Sequence, residues 1–385
     1  MGCGINMQKL KVLQLISSMG DGGAQQIVIN YLKDFVQDDR IECKLLVMEN
    51  KTNSKYDKYL EKNNFDVDYL NIPKKYSNIP LYNAFKRIIK LNNLINDYIK
   101  KYKPDIVHIH MTGSAVFCIK YIRKNRDIVN FITIHSNPLR DKGNDLKAMK
   151  YILHLSNVIP VSVNDEQDKL AKMHYNINKG EIVRNGIDIA EIKKKIISKD
   201  KARKLYNVSK DAFLVIGVGR LNKIKRYDIL INSFARVLAN NNKALLLIAG
   251  KGEERSNLEE LVKKLKIENS VRFLGNQENI IPLYCAADVL VVSSKTESSS
   301  LVLVEAQVCK TRCVISNGTP NESIITNKVF KMKENATIDE WKEAILNVNY
   351  KGKQVCDIND YEVHNISKKM VDIYLKRWKD HNDGK

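Results

Sequence analysis

Short apolar runs alternate with stretches of helical periodicity along the first half of the chain. K-V-L-Q-L-I begins at Lys11 and stops at the glycine-rich S-S-M-G-D-G-G. In the following A-Q-Q-I-V-I-N-Y-L-K-D-F the apolar residues recur at helical spacing, so the order is strand, glycine turn, helix. Further strand candidates lie at residues 105–110, 131–135 and 158–163. This alternation predicts a parallel sheet covered on both faces.

The alternation breaks near Asn185, at R-N-G-I-D, and the charged stretch from Glu191 to Lys204 is interpreted as a linker. A second series then supplies strand candidates at residues 213–219, 244–250, 271–275, 288–293 and 313–316. At 385 residues the chain is too long for one ordinary core. We predict an α/β protein with two Rossmann-like, doubly wound domains, at residues 1–186 and 187–360. Ligands bind such sheets at the carboxyl ends of the strands, so the site is expected in a cleft that the two domains face.

Composition narrows the class of protein. The longest apolar runs, such as A-L-L-L-I-A from Ala244, are well short of the ~20 residues that cross a bilayer. The opening M-G-C-G-I-N lacks the features of a secretory or myristoylation signal, and Met7 is an alternative start. The seven cysteines are scattered and never spaced C-x-x-C, which favours reduced thiols. We expect a cytoplasmic protein, peripheral to a membrane at most.

The segment 74–150 carries about half of the net charge of +20. Residues 74–150 contain sixteen Lys or Arg against five Asp or Glu. Such a region suits nucleic acid, anionic lipid or a phosphorylated substrate. A solvated lysine-rich surface is the alternative.

Two glycine clusters follow predicted strands. Gly22 and Gly23 lie between the first strand and its helix, where backbone N–H groups can approach a phosphate or sugar; a tight structural turn explains them as well. Neither this cluster nor G-V-G-R-L-N has G-x-G-x-x-G spacing, which disfavours a nicotinamide dehydrogenase. In the second cluster a strand ends at Gly219, Arg220 follows at once, and Lys225 stands at the start of the next helix. Cations at a strand end and a helix N-terminus suit a diphosphate, although surface cations on a loop would look the same.

The histidines at positions 108, 110 and 135 all fall at predicted strand ends of the first domain. Ligand-binding loops leave from there, so His135 is a candidate to line the cleft. One of His108 and His110 is expected to be packed or hydrogen-bonded rather than catalytic. No nearby Cys or acidic residue completes a metal set.

The stretch T-E-S-S-S-L-V-L-V-E-A-Q starts at Thr296, after the strand candidate D-V-L-V-V-S. Glu297 therefore falls in the loop at the strand end, and Ser299 or Ser300 is expected to cap a buried helix that starts near Leu301. The N-terminus of that helix suits an anion. A buried Glu305 needs a partner, and the two hydroxyls of a ribose would serve. The spacing suits a nucleotide-sugar.

These residues together resemble the retaining glycosyltransferases of family 4, which have the two-domain GT-B fold, over about Lys9 to Trp378. G-D-G-G-A-Q resembles the family's G-G-A-E loop, I-T-I-H-S its strand-end histidine, and R-N-G-I-D its N-G-[VI]-D. V-G-R-L-N-K-I-K resembles G-R-L-x-x-x-K, I-A-G-K-G-E resembles I-x-G-x-G, and E-S-S-S-L-V-L-V-E-A resembles E-G-[FL]-P-L-x-x-x-E-A. The closest similarity is to the capsular and exopolysaccharide branch.

The resemblance implies a role for each matched residue. Arg220 and Lys225 would neutralise the departing donor diphosphate, with no metal and no cofactor, and Glu305 would hold the ribose. Glu297 would hold the transferred sugar and His135 would lie near that sugar or the acceptor. The remaining binding positions would be at the phosphate, sugar and base: Gly22, Gly23, Gly219, Asn276, Gln277, Ser299, Ser300 and Leu301.

The same resemblance implies partners and a segment boundary. The donor would be a UDP-linked hexose or N-acetylhexosamine, and the acceptor a saccharide or lipid-linked saccharide. The basic region 74–150 would contact an anionic membrane, and nucleic acid would not be a partner. The C-terminal helix, within residues 361–385, would cross back to the N-terminal acceptor domain.

The chain departs from the family at three places. Ser298, Ser299 and Ser300 replace Gly-Phe-Pro, Gln25 replaces the glutamate of G-G-A-E, and Arg226 replaces a small residue after the motif lysine. The Arg-Lys pair and both glutamates are retained, so we expect donor binding, with the serines affecting the choice of sugar.

Other functions predict different features. A nucleotide-sugar 2-epimerase has the same fold but does not require G-R-L-x-x-x-K with E-x7-E. The hypothesis of a basic nucleic-acid-binding protein is supported by the net charge alone, because the sequence has no basic motif interleaved with aromatic residues. A metal-dependent transferase could use Asp66 and Asp68 of D-V-D, in a short first-domain strand.

Overall fold

The computed structural model describes residues 9–20, 22–73, 80–347 and 349–384, and of residues 80–85 the backbone only. The interpreted N-terminal extension, Asp21 of the first glycine cluster and residues 74–79 of the basic region lie outside this description. Contacts divide the chain into two compact units. The first unit comprises Met1–Gly186 with Tyr361–Lys385, and the second unit comprises Ile187–Asp360.

The first unit contains a sheet in which seven described strands run parallel. The strands are β1 Leu10–Ile16, β2 Ile41–Glu49, β3 Val67–Ile72, β4 Ile106–His110, β5 Val129–Ile134, β6 Val158–Ser162 and β7 Glu181–Ile182. Their order is β3-β2-β1-β4-β5-β6-β7, so the winding reverses between β1 and β4. Ligands of doubly wound sheets bind beyond the strand ends at such a point.

Helices follow the strands of the first unit and bury both faces of its sheet. They are α1 Gly23–Phe35, α2 Lys55–Lys62, α3 Pro80–Tyr102, α4 Thr112–Val116, α5 Ile119–Lys124, α6 Gly143–Leu153 and α7 Asp165–Tyr175. One apolar core includes Ile95, Ile109 and Ile132, and a second includes Val28 and Leu45. Apolar residues at i, i+3 and i+4 account for the buried faces of these helices.

The second unit repeats the architecture with six described parallel strands. The strands are β8 Phe213–Val218, β9 Ala244–Ala249, β10 Val271–Gly275, β11 Val289–Val292, β12 Arg312–Ile315 and β13 Val329–Lys331. The order is β10-β9-β8-β11-β12-β13, so the reversal lies between β8 and β11. The helices are α8 Ile189–Lys195, α9 Lys199–Leu205, α10 Tyr227–Asn240, α11 Arg255–Lys264, α12 Ile281–Ala286, α13 Leu301–Val308 and α14 Ile338–Leu346.

The interpretation of Glu191 to Lys204 as a linker is wrong, because this stretch forms α8 and most of α9. The Asp188 side chain accepts a hydrogen bond from the Glu191 N–H at 2.8 Å and so caps α8. Helix α9 packs against α12 and buries Arg203, whose guanidinium pairs with Asp288 at 2.7 Å. The charged residues are therefore the solvated faces and one buried partner of two short helices.

A long helix, α15 Val363–Asp383, completes the first unit after the chain has built the second. It packs against α1 and β5 and buries Met370, Val371 and Tyr374. Among the described residues, no helix combines the length and the apolar character needed to cross a bilayer.

Candidate active site

The carboxyl ends of β8 and β11 bring residues of two motifs together in the second unit. These neighbouring strands pair in parallel and flank the reversal of the sheet. Gly219 follows β8, and Ser293 and Ser294 follow β11. The loops that carry Lys225 and Glu297 leave from these two ends, so the topology explains why residues 72 positions apart can meet.

Lys225 and Glu297 form an ion pair at these strand ends. The Lys225 Nζ lies 2.6 Å from Glu297 Oε1, and the Ser294 hydroxyl donates to the same oxygen at 2.7 Å. The Glu297 side chain is only 10% exposed and that of Lys225 25%. A contact this short with a largely buried carboxylate is a charge-assisted hydrogen bond.

Backbone contacts hold Lys225 at this position. Lys225 ends a 3-10 turn, Lys223–Lys225, and its N–H donates to the Asn222 side chain at 3.1 Å. The Ser293 hydroxyl lies 2.9 Å from the Lys225 carbonyl oxygen and 2.8 Å from that of Arg226. Arg226 has a φ of 49° and is followed directly by α10. A left-handed residue at this point lets the turn and the helix meet without a longer loop.

A buried tyrosine hydroxyl completes this cluster. A Cβ built on Gly219 would lie 3.4 Å from the Tyr227 hydroxyl oxygen and 3.9 Å from the Lys225 Nζ. Burial raises the pKa of Tyr227 far above its ordinary value, and the neighbouring charge of Glu297 raises it further. Tyr227 is therefore a neutral hydroxyl at physiological pH.

Glycines allow the two loops after β8 and β9 to touch. A Cβ on Gly250 would lie 1.9 Å from the Gly219 carbonyl oxygen, and one on Gly252 would lie 2.1 Å from that of Leu221. Gly219 and Gly250 also have φ values of 139° and 137°, which other residues rarely adopt. The I-A-G-K-G-E motif thus has a structural role in packing the loop that begins at Gly219.

Arg220 lies next to this cluster in sequence but is directed to another partner. Its side chain is 70% exposed, and its guanidinium pairs with Glu253 at 3.3 Å. Exposed pairs of this kind hold a side chain only weakly. Arg220 is therefore free to rotate toward an anion near Gly219.

The serine stretch leads into α13 as predicted, with one correction. Ser300 is the N-cap residue of α13, as predicted, but its side chain makes no capping hydrogen bond. Its ψ of 80° places the chain outside the extended geometry that aims a cap side chain at the helix N–H groups. Ser299 is half-buried and Ser300 is buried; Leu301 is the first residue of the helix.

Glu305 lies in the middle of α13, on the side that faces α12. It is half-buried, less than the sequence suggests, and its Oε2 accepts a hydrogen bond from the Tyr284 hydroxyl at 3.1 Å. Burial and the adjacent Glu305 raise the pKa of Tyr284 far above its usual range, so the hydroxyl keeps its proton. A carboxylate can accept several hydrogen bonds, so an acceptance from Tyr284 is compatible with acceptance from hydroxyl donors of a ligand.

Asn276 and Gln277 lie directly after β10, at the same edge of the second sheet as Gly219. The Gln277 amide donates to the Leu274 carbonyl oxygen at 3.0 Å. Both residues therefore occupy a strand-end loop, as the sequence predicts.

In the first unit, Gly22 is the N-cap of α1 and Gly23 is its first residue. The Gln25 amide donates to the Ser18 carbonyl oxygen at 2.9 Å, and a Cβ on Gly22 would lie 2.4 Å from Gln25 Oε1. Gly22 has an extended backbone, with a φ of −174°, and the atom that it approaches is the end of a flexible side chain, so neither feature requires a glycine there. Gln25, which replaces the glutamate of the family motif, therefore connects the first turn of α1 to the Ser18 carbonyl oxygen shortly after β1.

The three strand-end histidines are in contact with one another. His135 Nε2 lies 3.2 Å from His110 Nδ1, and the rings of His108 and His110 stack with centroids 4.3 Å apart. Burial lowers the pKa of His135 to about 4 and that of His108 to about 3, and it lowers the pKa of His110 well below the usual value. His108 and His110 are fully buried and hydrogen-bonded, while His135 reaches the surface.

The D-V-D stretch is occupied by internal partners. Lys44 Nζ lies 3.0 Å from a carboxylate oxygen of Asp66 and 3.0 Å from one of Asp68, and the Tyr98 hydroxyl donates to Asp68 at 2.6 Å. These contacts hold the pKa of Asp68 below its ordinary value. The two carboxylates are accounted for as a charge pair with Lys44 at the edge of the sheet.

Sequence reasoning missed the partners of the predicted residues. These are Ser294 beside Glu297, Tyr227 beside Gly219, Glu253 beside Arg220, Tyr284 beside Glu305, and Gln14 beside His110. Ser294 could have been found as the last polar residue of its strand run. The others come from elements whose relation depends on the fold.

Two protein-family models match the chain. The model of glycosyltransferase family 4 matches residues 22–191, and that of glycosyl transferases group 1 matches residues 198–355. The chain belongs to glycosyltransferase family 4. The first match lies mostly in the first unit, and the second match lies in the second unit, which holds the Lys225–Glu297 pair.

Relatives support the assignment of the chain to this family. An uncharacterized glycosyltransferase of Methanocaldococcus jannaschii is 31% identical over 273 residues, which is 67% of this chain and 66% of the relative. The chain thus spans just under two thirds of that relative. The N-acetylgalactosamine-N,N'-diacetylbacillosaminyl-diphospho-undecaprenol 4-alpha-N-acetylgalactosaminyltransferase of Campylobacter jejuni is 24% identical over 324 residues, 81% of each chain.

A solved structure shares the fold of this chain. Anabaena HepE, crystallised in complex with UDP-glucose, superposes with a TM-score of 0.76 at 18% identity over 95% of this chain and 100% of HepE. At this identity the likeness concerns the fold alone. The predicted GT-B fold, with two Rossmann-like parallel sheets, is confirmed.

Proposed function

We propose that the protein is a retaining, metal-independent glycosyltransferase that moves a hexose or N-acetylhexosamine from a UDP-sugar to a glycan or lipid-linked saccharide in surface polysaccharide synthesis. The observation that carries the proposal is the Lys225–Glu297 pair, held by Ser294 at the strand ends of β8 and β11. It joins a cation suited to a diphosphate to a carboxylate suited to sugar hydroxyls, at the point where doubly wound sheets bind ligands.

The cations act on the leaving group. When the bond between the anomeric carbon and the diphosphate oxygen breaks, negative charge grows on that oxygen. Lys225 at the helix start and the exposed Arg220 neutralise this charge, so they stabilise the transition state more than the bound donor. Gly219 allows the diphosphate to approach the backbone, and the N–H groups of Ser300 and Leu301 at the start of α13 add further donors.

The two glutamates hold the donor at its two ends. Glu297 accepts hydrogen bonds from hydroxyls of the transferred sugar, and Glu305 accepts from the two ribose hydroxyls beside Tyr284. Asn276 and Gln277 contact the base, and Ser299 lies toward the sugar. Replacement of Gly-Phe-Pro by serines adds hydroxyls at this place, so the choice of sugar depends on them.

The acceptor belongs to the first unit. Gly22 and Gly23 follow β1, which flanks the reversal of its sheet, and His135 follows β5 and contacts His110 at the end of β4. The acceptor hydroxyl attacks on the face from which the diphosphate leaves, and the departing phosphate takes its proton, so the configuration is retained. The name of the Campylobacter jejuni relative specifies a diphospho-undecaprenol-linked saccharide, which supports an acceptor of the lipid-linked class.

A membrane contact is proposed for the basic region 74–150. On α3 the side chains of Ile88 and Ile89 are 38% and 46% exposed, and both lie between Lys86 and Lys90, which are also exposed. Exposed aliphatic side chains beside lysines suit the surface of an anionic membrane.

Ile88→Ser with Ile89→Ser is expected to reduce sedimentation with anionic vesicles at least about threefold. Leu205→Ser, at a 64% exposed leucine of the second unit, is the matched control and should have no effect.

The function is tested with donors and products in excess EDTA. We expect thermal stabilisation by UDP-sugars over other nucleotide-sugars, and transfer of the sugar to a lipid-linked saccharide without added metal. NMR of the product should show the anomeric configuration of the donor. A strict metal requirement, an inverted product, or release of an epimerised sugar nucleotide would each overturn the corresponding part of the proposal.

A further inference from the structure

A chain of hydrogen-bonded polar side chains runs through the interior of the first unit and ends at His135. His135 Nε2 contacts His110 Nδ1 at 3.2 Å, and His110 Nε2 contacts Gln14 Oε1 at 2.7 Å. The Gln14 amide nitrogen donates to the Tyr374 hydroxyl at 3.1 Å. The same hydroxyl contacts His108 Nδ1, whose ring reaches Thr133 Oγ1 through Nε2 at 2.6 Å.

The members of this chain come from four elements. Gln14 is on β1, His108 and His110 are on β4, Thr133 is on β5, and Tyr374 is on α15. Four of them, Gln14, His108, His110 and Tyr374, are 0% exposed. Buried polar groups are costly unless hydrogen-bonded, so each contact in the chain is strongly favoured over an unpaired alternative.

The orientation of one amide determines the position of the protons along the chain. Because Gln14 Oε1 only accepts, His110 Nε2 must carry a proton, and His110 Nδ1 must then accept. The proton between the two histidines therefore belongs to His135 Nε2. On the other side the Tyr374 hydroxyl accepts from Gln14 and donates to His108 Nδ1, so His108 Nε2 donates to Thr133.

Only the opposite orientation of the amide reverses this order. With the Gln14 nitrogen toward His110, every donor and acceptor would exchange roles, and His135 would carry its proton on Nδ1. Burial holds all three histidines neutral at physiological pH, so a charged ring does not relax the constraint. Within the described part of the chain, His135 makes no other hydrogen bond, so Nδ1 is the nitrogen left to face a ligand.

We propose that Gln14 and Tyr374 are positioning residues that fix His135 with its proton on Nε2, so that Nδ1 accepts a hydrogen bond from a hydroxyl of the sugar or of the saccharide acceptor. The part that concerns the saccharide rests on the proposed function. With the other tautomer, Nδ1 would donate, and a hydroxyl would have to turn its proton elsewhere. An ordered hydroxyl is required when its oxygen attacks or its sugar is transferred in a fixed pose.

The tautomer is measured directly with 15N-histidine-labelled protein. Long-range proton–nitrogen correlation spectra distinguish the protonated from the unprotonated ring nitrogen, and the His135→Asn variant assigns its signals among the seven histidines. We expect the native protein to contain His135 with a proton on Nε2 only. A proton on Nδ1, or a mixture, in the native protein would overturn the proposal.

Variants then test the positioning residues. Tyr374→Phe removes the acceptor of the Gln14 amide, and Gln14→Met removes both bonds of that residue. Each is expected to give a mixture of His135 tautomers and to lower kcat about tenfold or more, with KM for the donor unchanged. Tyr121→Phe is the matched control, because it removes a hydroxyl that is equally buried in the same unit and donates to Asn130 at 2.7 Å.

The outcomes separate this proposal from the proposed function. A lack of sugar transfer by the native protein, with the predicted tautomer present, would refute the function and leave the positioning intact. A His135 tautomer that is the same in Tyr374→Phe, Gln14→Met and the control would show that these residues serve stability alone and would overturn the inference. If one variant fails to fold, the spectrum of the native protein and that of the other variant still test whether these residues determine the His135 tautomer.

Discussion

At the scale of single residues, Lys225 already has an internal partner for its charge. Glu297 lies 2.6 Å from its ammonium group, so the diphosphate proposed to bind there must compete with a carboxylate. This competition keeps the ammonium group ordered when no anion is near, because its short contact with a largely buried carboxylate is a charge-assisted hydrogen bond. It also leaves Glu297 available to the sugar once the ammonium turns to the phosphate.

The first prediction concerns this pair. Lys225→Ala is expected to reduce kcat/KM about a hundredfold or more, because it removes charge stabilisation from the leaving group. The matched control is Lys223→Ala, at an exposed lysine on the same 3-10 turn, which should retain activity within about twofold. Initial rates at saturating acceptor check the prediction. Equal loss in both variants would exclude the diphosphate role of Lys225.

The second prediction separates Arg220 from its observed partner. Arg220→Ala should lower kcat/KM about a hundredfold, since the guanidinium is proposed to act on the diphosphate. Glu253→Ala breaks the same exposed ion pair but should change kcat/KM less than about twofold. Both variants are assayed with the same donor. A similar loss in both would mean that the ion pair itself, rather than a free Arg220, supports activity.

The positions of the site residues at strand ends could be predicted from the sequence, whereas the side chains that surround them could not. Strand ends are local features of the hydrophobic pattern, so Gly219, Glu297 and His135 could be placed at the proper edge of each sheet. Their partners depend on which strands are neighbours, and the pattern does not determine that order. The exposure of Arg220 and the missing side-chain cap at Ser300 likewise depend on loop geometry.

At the scale of elements, the most instructive error is the supposed linker. Residues 191–204 are rich in lysine, and charge alone suggested a solvated connection. Helix α9 nevertheless packs on α12, because Ala202 and Arg203 face inward while the lysines face water. Arg203 contacts Asp288, the Ala286 carbonyl oxygen and the Lys210 carbonyl oxygen, so its charge is satisfied inside the unit.

The third prediction follows from this packing. Arg203→Ala is expected to lower the free energy of unfolding of the second unit by about 3 kcal/mol, because Asp288 loses its buried cationic partner and keeps Lys199, whose side chain is 49% exposed. Lys204→Ala, at the exposed neighbour on α9, should change it by less than about 0.5 kcal/mol. Denaturant unfolding of both variants provides the comparison. Equal stabilities would mean that α9 is not held by the buried guanidinium.

The strands show the same limit of local reasoning. The continuous apolar runs of β1, β4, β8 and β9 were predicted because both faces of a parallel sheet are buried. Strand β2, I-E-C-K-L-L-V-M-E, was missed because polar residues interrupt its beginning. The two-residue β7 and three-residue β13 are too short to give a periodic signal.

At the scale of the whole molecule, three histidines are kept neutral inside the first unit. Their pKa values are lowered by burial, to about 3 for His108 and about 4 for His135, from an ordinary value of 6.5. The unfolded chain therefore binds more protons than the folded one at pH values between the folded and unfolded pKa. Stability is complete above the unfolded pKa and is lost as the pH falls below it.

The fourth prediction is a pH dependence of stability. At pH 5.5 unfolding should be accompanied by the uptake of roughly three protons. The free energy of unfolding should be about 3 kcal/mol lower at pH 5.5 than at pH 7.0. Urea unfolding at the two pH values, with proton uptake measured by calorimetry in two buffers, checks both quantities. A free energy that is constant over this range would contradict the neutral, hydrogen-bonded arrangement of the histidines.

Helix α15 affects the order in which the two units can fold during translation. The second unit is one continuous stretch, whereas the first unit needs α15, which is translated only after residue 360. The N-terminal part of the first unit therefore leaves the ribosome while Gln14 and His108 still lack Tyr374 as a partner. The second unit can complete its fold before the first unit does. We expect the N-terminal portion to stay protease-sensitive throughout synthesis and to become resistant once Tyr374 has left the exit tunnel.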